Sequence, residues 1–199
     1  MATLVAFDIE ATDLAASWGR VLCCSFCVWP SMETYTIRMD DHTVVGRDLV
    51  DDSRLVAAIR DEVEAADILL GWNSILYDVP MLNARLQFGG ERPIELKMWP
   101  KGNHLDLMYY ATGQALRIGG KRLDTVAKFF GLDVQKTPLD GVTWQRAAVG
   151  DVGALDMVVE HCEHDVQITA KLFPILAPHI KKLQLPISKW WQFAHQIEL

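Results

Sequence analysis

A change of period near residue 53 constrains this chain most. Before it, Thr3–Ile9, Val21–Trp29 and Thr34–Met39 are rich in Val, Ile, Cys, Phe and Tyr and are separated by turn-prone segments. That pattern predicts an antiparallel meander of three strands. From Ser53 onward the apolar residues Leu55, Val56, Ile59 and Val63 recur at three and four, which predicts a helix with Ser53 as its cap. The short run Ile68–Trp72 reads as a buried strand, and a helix is expected from Val79, with Pro80 in its first turn and Gly89-Gly90 as its stop. A fifth strand is expected over Ile94–Met98. Short helices are expected next over Asp106–Leu116 and Leu123–Phe130, the second ended by Gly131. Residues 135–150 read as loop, and the longest helical signal covers 151–172, with Pro174 and Pro178 interrupting the chain beyond it. The expected class is α/β: a central mixed five-stranded sheet, antiparallel meander plus parallel strands, flanked by helices.

The chain has 199 residues, half of them apolar, enough to bury one sizeable core, so a single domain is expected. Its body should span residues 3–173, with a helical tail over 179–199 packed on it. Trp190, Trp191, Phe193 and Ile197 recur at helical spacing in that tail, which also suits it to contact a partner protein. No run of eighteen apolar residues and no basic leader occurs, so the expected setting is cytoplasmic, with no membrane partner. Cysteines 23, 24, 27 and 162 are a poor disulfide framework and read as reduced core residues. Cys24 and Cys27 form a C-x-x-C, but odd and even positions of a strand face opposite ways, and no second Cys/His pair stands at zinc spacing. The formal charge of −7 weighs against a basic nucleic-acid groove but not against a nuclease acting through metal ions, whose apo site is itself acidic.

Three segments carry chemistry. Phe7-Asp8-Ile9-Glu10 ends an apolar strand with two acids at i and i+2, on one face, where both can approach one hard cation; alone, the pair also fits two solvated carboxylates. In Gly71-Trp72-Asn73-Ser74-Ile75-Leu76-Tyr77-Asp78-Val79-Pro80 an acid enters a helix after a buried strand, and Asp78 alone would suit a helix cap. In Glu160-His161-Cys162-Glu163-His164-Asp165 the i, i+4 pair His161 and Asp165 share one face of a helix.

Together, in this order and spacing, the three segments resemble the DEDD (DnaQ-like) 3′→5′ exonucleases. With His104-Leu105-Asp106-Leu107-Met108 and Arg122-Leu123-Asp124-Thr125-Val126-Ala127 they resemble most the proofreading domain of family-B DNA polymerases. The resemblance covers residues 3–173. It implies a ribonuclease-H-like fold in which Asp8, Glu10, Asp78 and Asp165 hold two divalent cations, Mg²⁺ or Mn²⁺, and nucleotides are released from the 3′ end of single-stranded DNA or frayed duplex ends. One departure stands out. The branch with this final spacing commonly has Tyr four residues before the last Asp, and the other branch has His five before it; here Glu160 stands at the latter position and His161 at the former. Helix geometry puts His161 about 40° and His164 about 100° around the axis from Asp165, so His161 is expected to orient or deprotonate the attacking water.

Substrate contacts are expected from Thr12, Leu14, Asn73 and Trp18: amides and an apolar wedge after the first acids, a hydrogen bond from Asn73, and base stacking by Trp18. Loop bracing by Asn73 and a loop anchor at Trp18 are the structural alternatives. His104 and Asp106 are candidate metal-site neighbours, although a helix cap also explains Asp106. Lys121, Arg122, Lys128 and Lys136 either line a phosphate path or are solvated surface. Other functions that fit are an exoribonuclease acting on an RNA 3′ end, a structure-selective endonuclease on the same fold, and an inactive module that binds nucleic acid or a polymerase.

Overall fold

The computed structural model describes residues 3–42, 51–113, 116–134 and 139–180. The meander folds as β1 (Leu4–Ala11), β2 (Val21–Trp29) and β3 (Glu33–Arg38), followed by the short helix α1 (Met39–His42). Helix α2 (Ser53–Ala65), strand β4 (Ile68–Gly71), helix α3 (Asp78–Phe88), strand β5 (His104–Asp106) and helix α4 (Leu107–Thr112) come next. Helices α5 (Leu123–Phe129), α6 (Gly141–Ala148) and α7 (Val152–Leu176) complete the order, closed by a 3-10 turn over Ala177–His179. The five strands form one sheet in the order β3-β2-β1-β4-β5. β1 runs antiparallel to β2 and parallel to β4, and β4 runs parallel to β5, the mixed sheet the sequence predicts.

Alternation along β1 splits the core. Val5, Phe7 and Ile9 join a cluster with Leu55, Val56 and Ile59 of α2 and Leu82 and Leu86 of α3. Leu4 and Ala6 join a second cluster with Leu105, Leu107 and Ala111, together with Val126 of α5. Asp8 and Glu10 continue the parity of Leu4 and Ala6. Helix α7 spans both clusters, giving Leu155, Val158 and Cys162 to the first and Val166, Ala170 and Phe173 to the second. It is tied to β3 by Thr36 Oγ1 donating to Glu163 Oε1 at 2.8 Å and by the 2.7 Å ion pair of Arg38 with Asp156.

Several expectations need correcting. The fifth strand lies at His104–Asp106, not at Ile94–Met98; Leu105 pairs with Leu70, and only Met98 of the expected segment makes a bridge, to His104. A three-residue strand is too short to show alternation, whereas buried Ile94 mimics a strand by packing into the first core cluster. Residues 141–148, expected as loop, form α6: the Asp140 carboxylate caps it by accepting from Thr143 N at 2.7 Å, and Ala147 is buried. Pro174 does not stop α7, which runs to Leu176 with the proline inside its last turn. Asp52, not Ser53, precedes α2, and its carboxylate makes no cap; it accepts from Val21 N at 2.9 Å and pairs with Arg85 at 2.7 Å. The aromatic tail beyond Ile180 and Lys136 lie outside the described residues.

Candidate active site

β1 and β4 are parallel, so their C-terminal ends open onto the same edge of the sheet. β1 delivers Asp8 and Glu10 there, and the first turn of α3, after β4, delivers Asp78. A register shift between Glu10 and Ala11 breaks the ladder where the acids emerge, a device that re-aims side chains beside active sites.

The β4–α3 loop is built by its backbone. A Cβ on Gly71 would lie 2.0 Å from Ser74 Oγ, so only glycine fits. Asn73 takes a left-handed φ of 62°, which short polar residues tolerate better than most. Asp106 braces the loop, accepting from Asn73 N at 3.0 Å, Ile75 N at 3.2 Å and Met108 N at 3.1 Å. It caps α4 as the sequence suggested and also holds the acid-bearing turn. His104 donates to or accepts from Ser74 Oγ at 2.8 Å, and burial lowers its pKa to about 4. It is therefore a neutral scaffold residue. Asp78 is not the helix cap; it occupies the first helical position, and its Oδ1 accepts from Ile9 N at 3.1 Å.

The fold holds the four acids close enough for their charges to act on one another. Burial pushes the Asp8 carboxyl well above the usual range, and the charges of Asp78, Glu10 and Asp165 each push it further. Asp78 is pushed up to about 7, chiefly by burial, against the stabilising amide of Ile9. Crowded, desolvated carboxylates of this kind need a positive counter-charge. An all-oxygen donor set suits a hard divalent cation. His161 stands between two of the acids, with Nε2 3.8 Å from Glu10 Oε1 and 4.0 Å from Asp165 Oδ2. Both separations exceed a hydrogen bond. His164, turned away as helix geometry requires, lines a separate recess with Asp133, Gln167, Ile168 and Lys171.

Cys162 is the residue that sequence reasoning left out. Its Sγ donates to Asp8 O at 3.3 Å, and its sulfur lies with carboxylate oxygens of Asp8 and Glu10 within 4.8 Å of one another. Its position between His161 and Asp165 was a usable signal, hidden by the ordinary reading of cysteine as core filler. All four cysteines are free.

The β1–β2 loop stands over this edge. Thr12 closes its base: its amide donates to Arg20 O at 3.0 Å and its Oγ1 accepts from Arg20 N at 3.1 Å. Leu14 and Trp18 are 82% and 84% exposed, so Trp18 is not packed on the sheet. Arg85, buried in its pair with Asp52, reaches Ala16 O at 3.3 Å and anchors the loop from beneath. Of the basic residues proposed for a phosphate path, Arg122 is paired with Asp124 at 3.2 Å, and Lys121 and Lys128 are exposed.

Comparison with known proteins agrees with this fold. The family B DNA polymerase of the archaeon Pyrobaculum calidifontis superposes with a TM-score of 0.67 at 20% identity, over 96% of this chain and 27% of that one. A product-bound exonuclease I matches with a TM-score of 0.57 at 13% identity over 90% of this chain and 45% of that one. E. coli exonuclease I in complex with a dT13 oligonucleotide matches with a TM-score of 0.55 at 14% identity over 89% and 42%. This chain thus spans about a quarter of the polymerase and under half of either exonuclease. No curated protein matches by sequence. Among the described residues no helix is long and apolar enough to cross a membrane. A family model matches residues 5–177, nearly the whole described body, and the chain belongs to the RNase_H superfamily, with its ribonuclease-H-like sheet and helices.

Proposed function

We propose that this chain is a metal-dependent 3′→5′ exonuclease, a single catalytic domain that releases nucleotides from the end of single-stranded DNA. The observation that carries the reading is the convergence of Asp78, Glu10 and Asp165 on the half-buried Asp8 carboxylate. A protein that only bound nucleic acid would gain nothing from such uncompensated charge beside phosphate.

Asp8, Glu10, Asp78 and Asp165 would hold two divalent cations, Mg²⁺ or Mn²⁺. When bound, such ions would supply Lewis-acid polarisation of the scissile phosphate and would lower the pKa of a water beside it. The chain's own residues supply the rest. His161, between Glu10 and Asp165, orients the attacking water through Nε2 and accepts its proton. Ile9 N fixes the Asp78 carboxylate, so the acids from β1 and α3 keep one relative position. Thr12 shapes the base of the β1–β2 loop, Leu14 wedges against the terminal base, and Trp18 offers its exposed ring for stacking. Asn73, held by Asp106 at the lip of the site, hydrogen-bonds the terminal nucleotide. DNA is favoured as substrate because the structural neighbours include a DNA polymerase and an exonuclease bound to an oligothymidylate.

Three substrates of one sequence test the reading: a linear 5′-labelled DNA strand, the same strand closed into a circle, and the linear RNA. The expected result is a ladder descending from the 3′ end of linear DNA, slower RNA digestion and an intact circle. Nicking of the circle would point to an endonuclease, and faster RNA digestion to an exoribonuclease.

A further inference from the structure

The nuclease reading assigns no chemistry to the Cys162 thiol, which donates to Asp8 O. It sits on α7 between His161 and Asp165, fully buried, with Sγ directed at Asp8. We infer that Asp8, Glu10 and Cys162 together form an inhibitory Zn²⁺ site that overlaps the catalytic metal site. A sulfur at ~2.3 Å and a carboxylate oxygen at ~2.1 Å on one tetrahedral zinc stand roughly 3.6 Å apart, and Cys162 Sγ stands 3.7 Å from Asp8 Oδ2. Donor atoms of all three residues lie within 4.8 Å of one another, which one ion can span. An imidazole, a further zinc donor, is adjacent: His161 Nε2 is 3.8 Å from Glu10 Oε1.

The donor set separates two classes of cation. Mg²⁺ takes oxygen ligands and gains nothing from a thiol, whereas zinc binds thiolate, imidazole and carboxylate together. On binding, the zinc–sulfur bond replaces the S–H bond, and the proton leaves to solvent with no change of oxidation state. Zinc held this way occupies Asp8 and Glu10, so the catalytic ions are displaced. The inhibition rests on the nuclease reading; the binding does not.

Co²⁺, a spectroscopic substitute for Zn²⁺, tests the site on the intact chain. The expected result is a near-ultraviolet sulfur-to-cobalt charge-transfer band in wild type, removed by one equivalent of Zn²⁺, lost in Cys162→Ser and kept in Cys27→Ser, whose sulfur lies in the other core cluster. In Mg²⁺-supported digestion, the Zn²⁺ concentration for half inhibition should rise on the order of ten- to hundred-fold in Cys162→Ser, the scale of losing one supporting group at a metal site. No band in wild type, or a band that survives in Cys162→Ser, overturns the site. Equal zinc sensitivity of wild type and Cys162→Ser overturns its inhibitory role. A cobalt band in a protein that digests nothing with Mg²⁺ leaves the zinc site standing and rejects the nuclease reading instead.

Discussion

The main-chain amide of Ile9 donates to Oδ1 of Asp78 across 3.1 Å, joining the strand that carries Asp8 and Glu10 to the first turn of a helix 69 residues later. This bond fixes the separation of acids that arrive from distant parts of the chain. It also keeps the Asp78 carboxylate turned toward β1, in a buried position where charge is costly.

The pH dependence of stability stems from that cost. Burial pushes Asp78 from the ordinary 3.8 up to about 7, and Asp8 moves the same way. The folded, metal-free protein therefore binds protons more tightly than the unfolded chain, so its stability falls as pH rises from the ordinary carboxylate range through about 7. A divalent cation replaces the protons as counter-charge, and its stabilising effect grows over the same window. Thermal midpoints measured in EDTA and in Mg²⁺ across this range check both trends; a metal-free midpoint that climbs with pH contradicts them.

His161→Ala should lower kcat by roughly 10²- to 10⁴-fold, the usual contribution of a positioned acid–base group. Circular dichroism and the thermal midpoint should change little, because His161 is half-buried at the site and adds nothing to either core cluster. Near-normal turnover would remove it from the mechanism.

Arg85→Leu should destabilise the fold by about 3–5 kcal/mol, since it strands a buried carboxylate. Asp52 and Arg85 are 1% and 7% exposed at the side chain and pair at 2.7 Å. Urea unfolding of the variant measures the loss, and limited proteolysis should show earlier cutting in the β1–β2 loop, which loses the contact to Ala16 O.

Much of this was legible in the sequence. Asp8 and Glu10 share a strand face by period alone, and His161 shares a helix face with Asp165 by the 3.6 repeat. Residues of special conformation were harder. His104–Asp106 is too short a strand to carry a pattern, and α6 hides behind Gly141 and the β-branched Val142 and Thr143. The roles of Asp52 and Asp106 depend on partners far away in sequence, such as Val21, Arg85 and Asn73, that no local rule connects. Cys162 was overlooked because a buried cysteine usually acts as a small apolar residue.

Trp18→Ala should raise KM for single-stranded DNA by roughly five- to hundred-fold, the equivalent of losing one base stacking contact of ~1–3 kcal/mol, with kcat little changed. Steady-state kinetics on oligonucleotides of equal length separate the two constants. A fall in kcat at constant KM would assign Trp18 a role other than stacking.

The most decisive experiment is digestion of 5′-labelled single-stranded DNA by wild type and Asp8→Ala side by side, with Mg²⁺, with Mn²⁺ and with EDTA. A metal-dependent exonuclease gives a ladder descending from the 3′ end with either metal, abolished by EDTA and by the substitution. Cutting that persists in EDTA or in Asp8→Ala, or no cutting by wild type with either metal, would contradict that assignment.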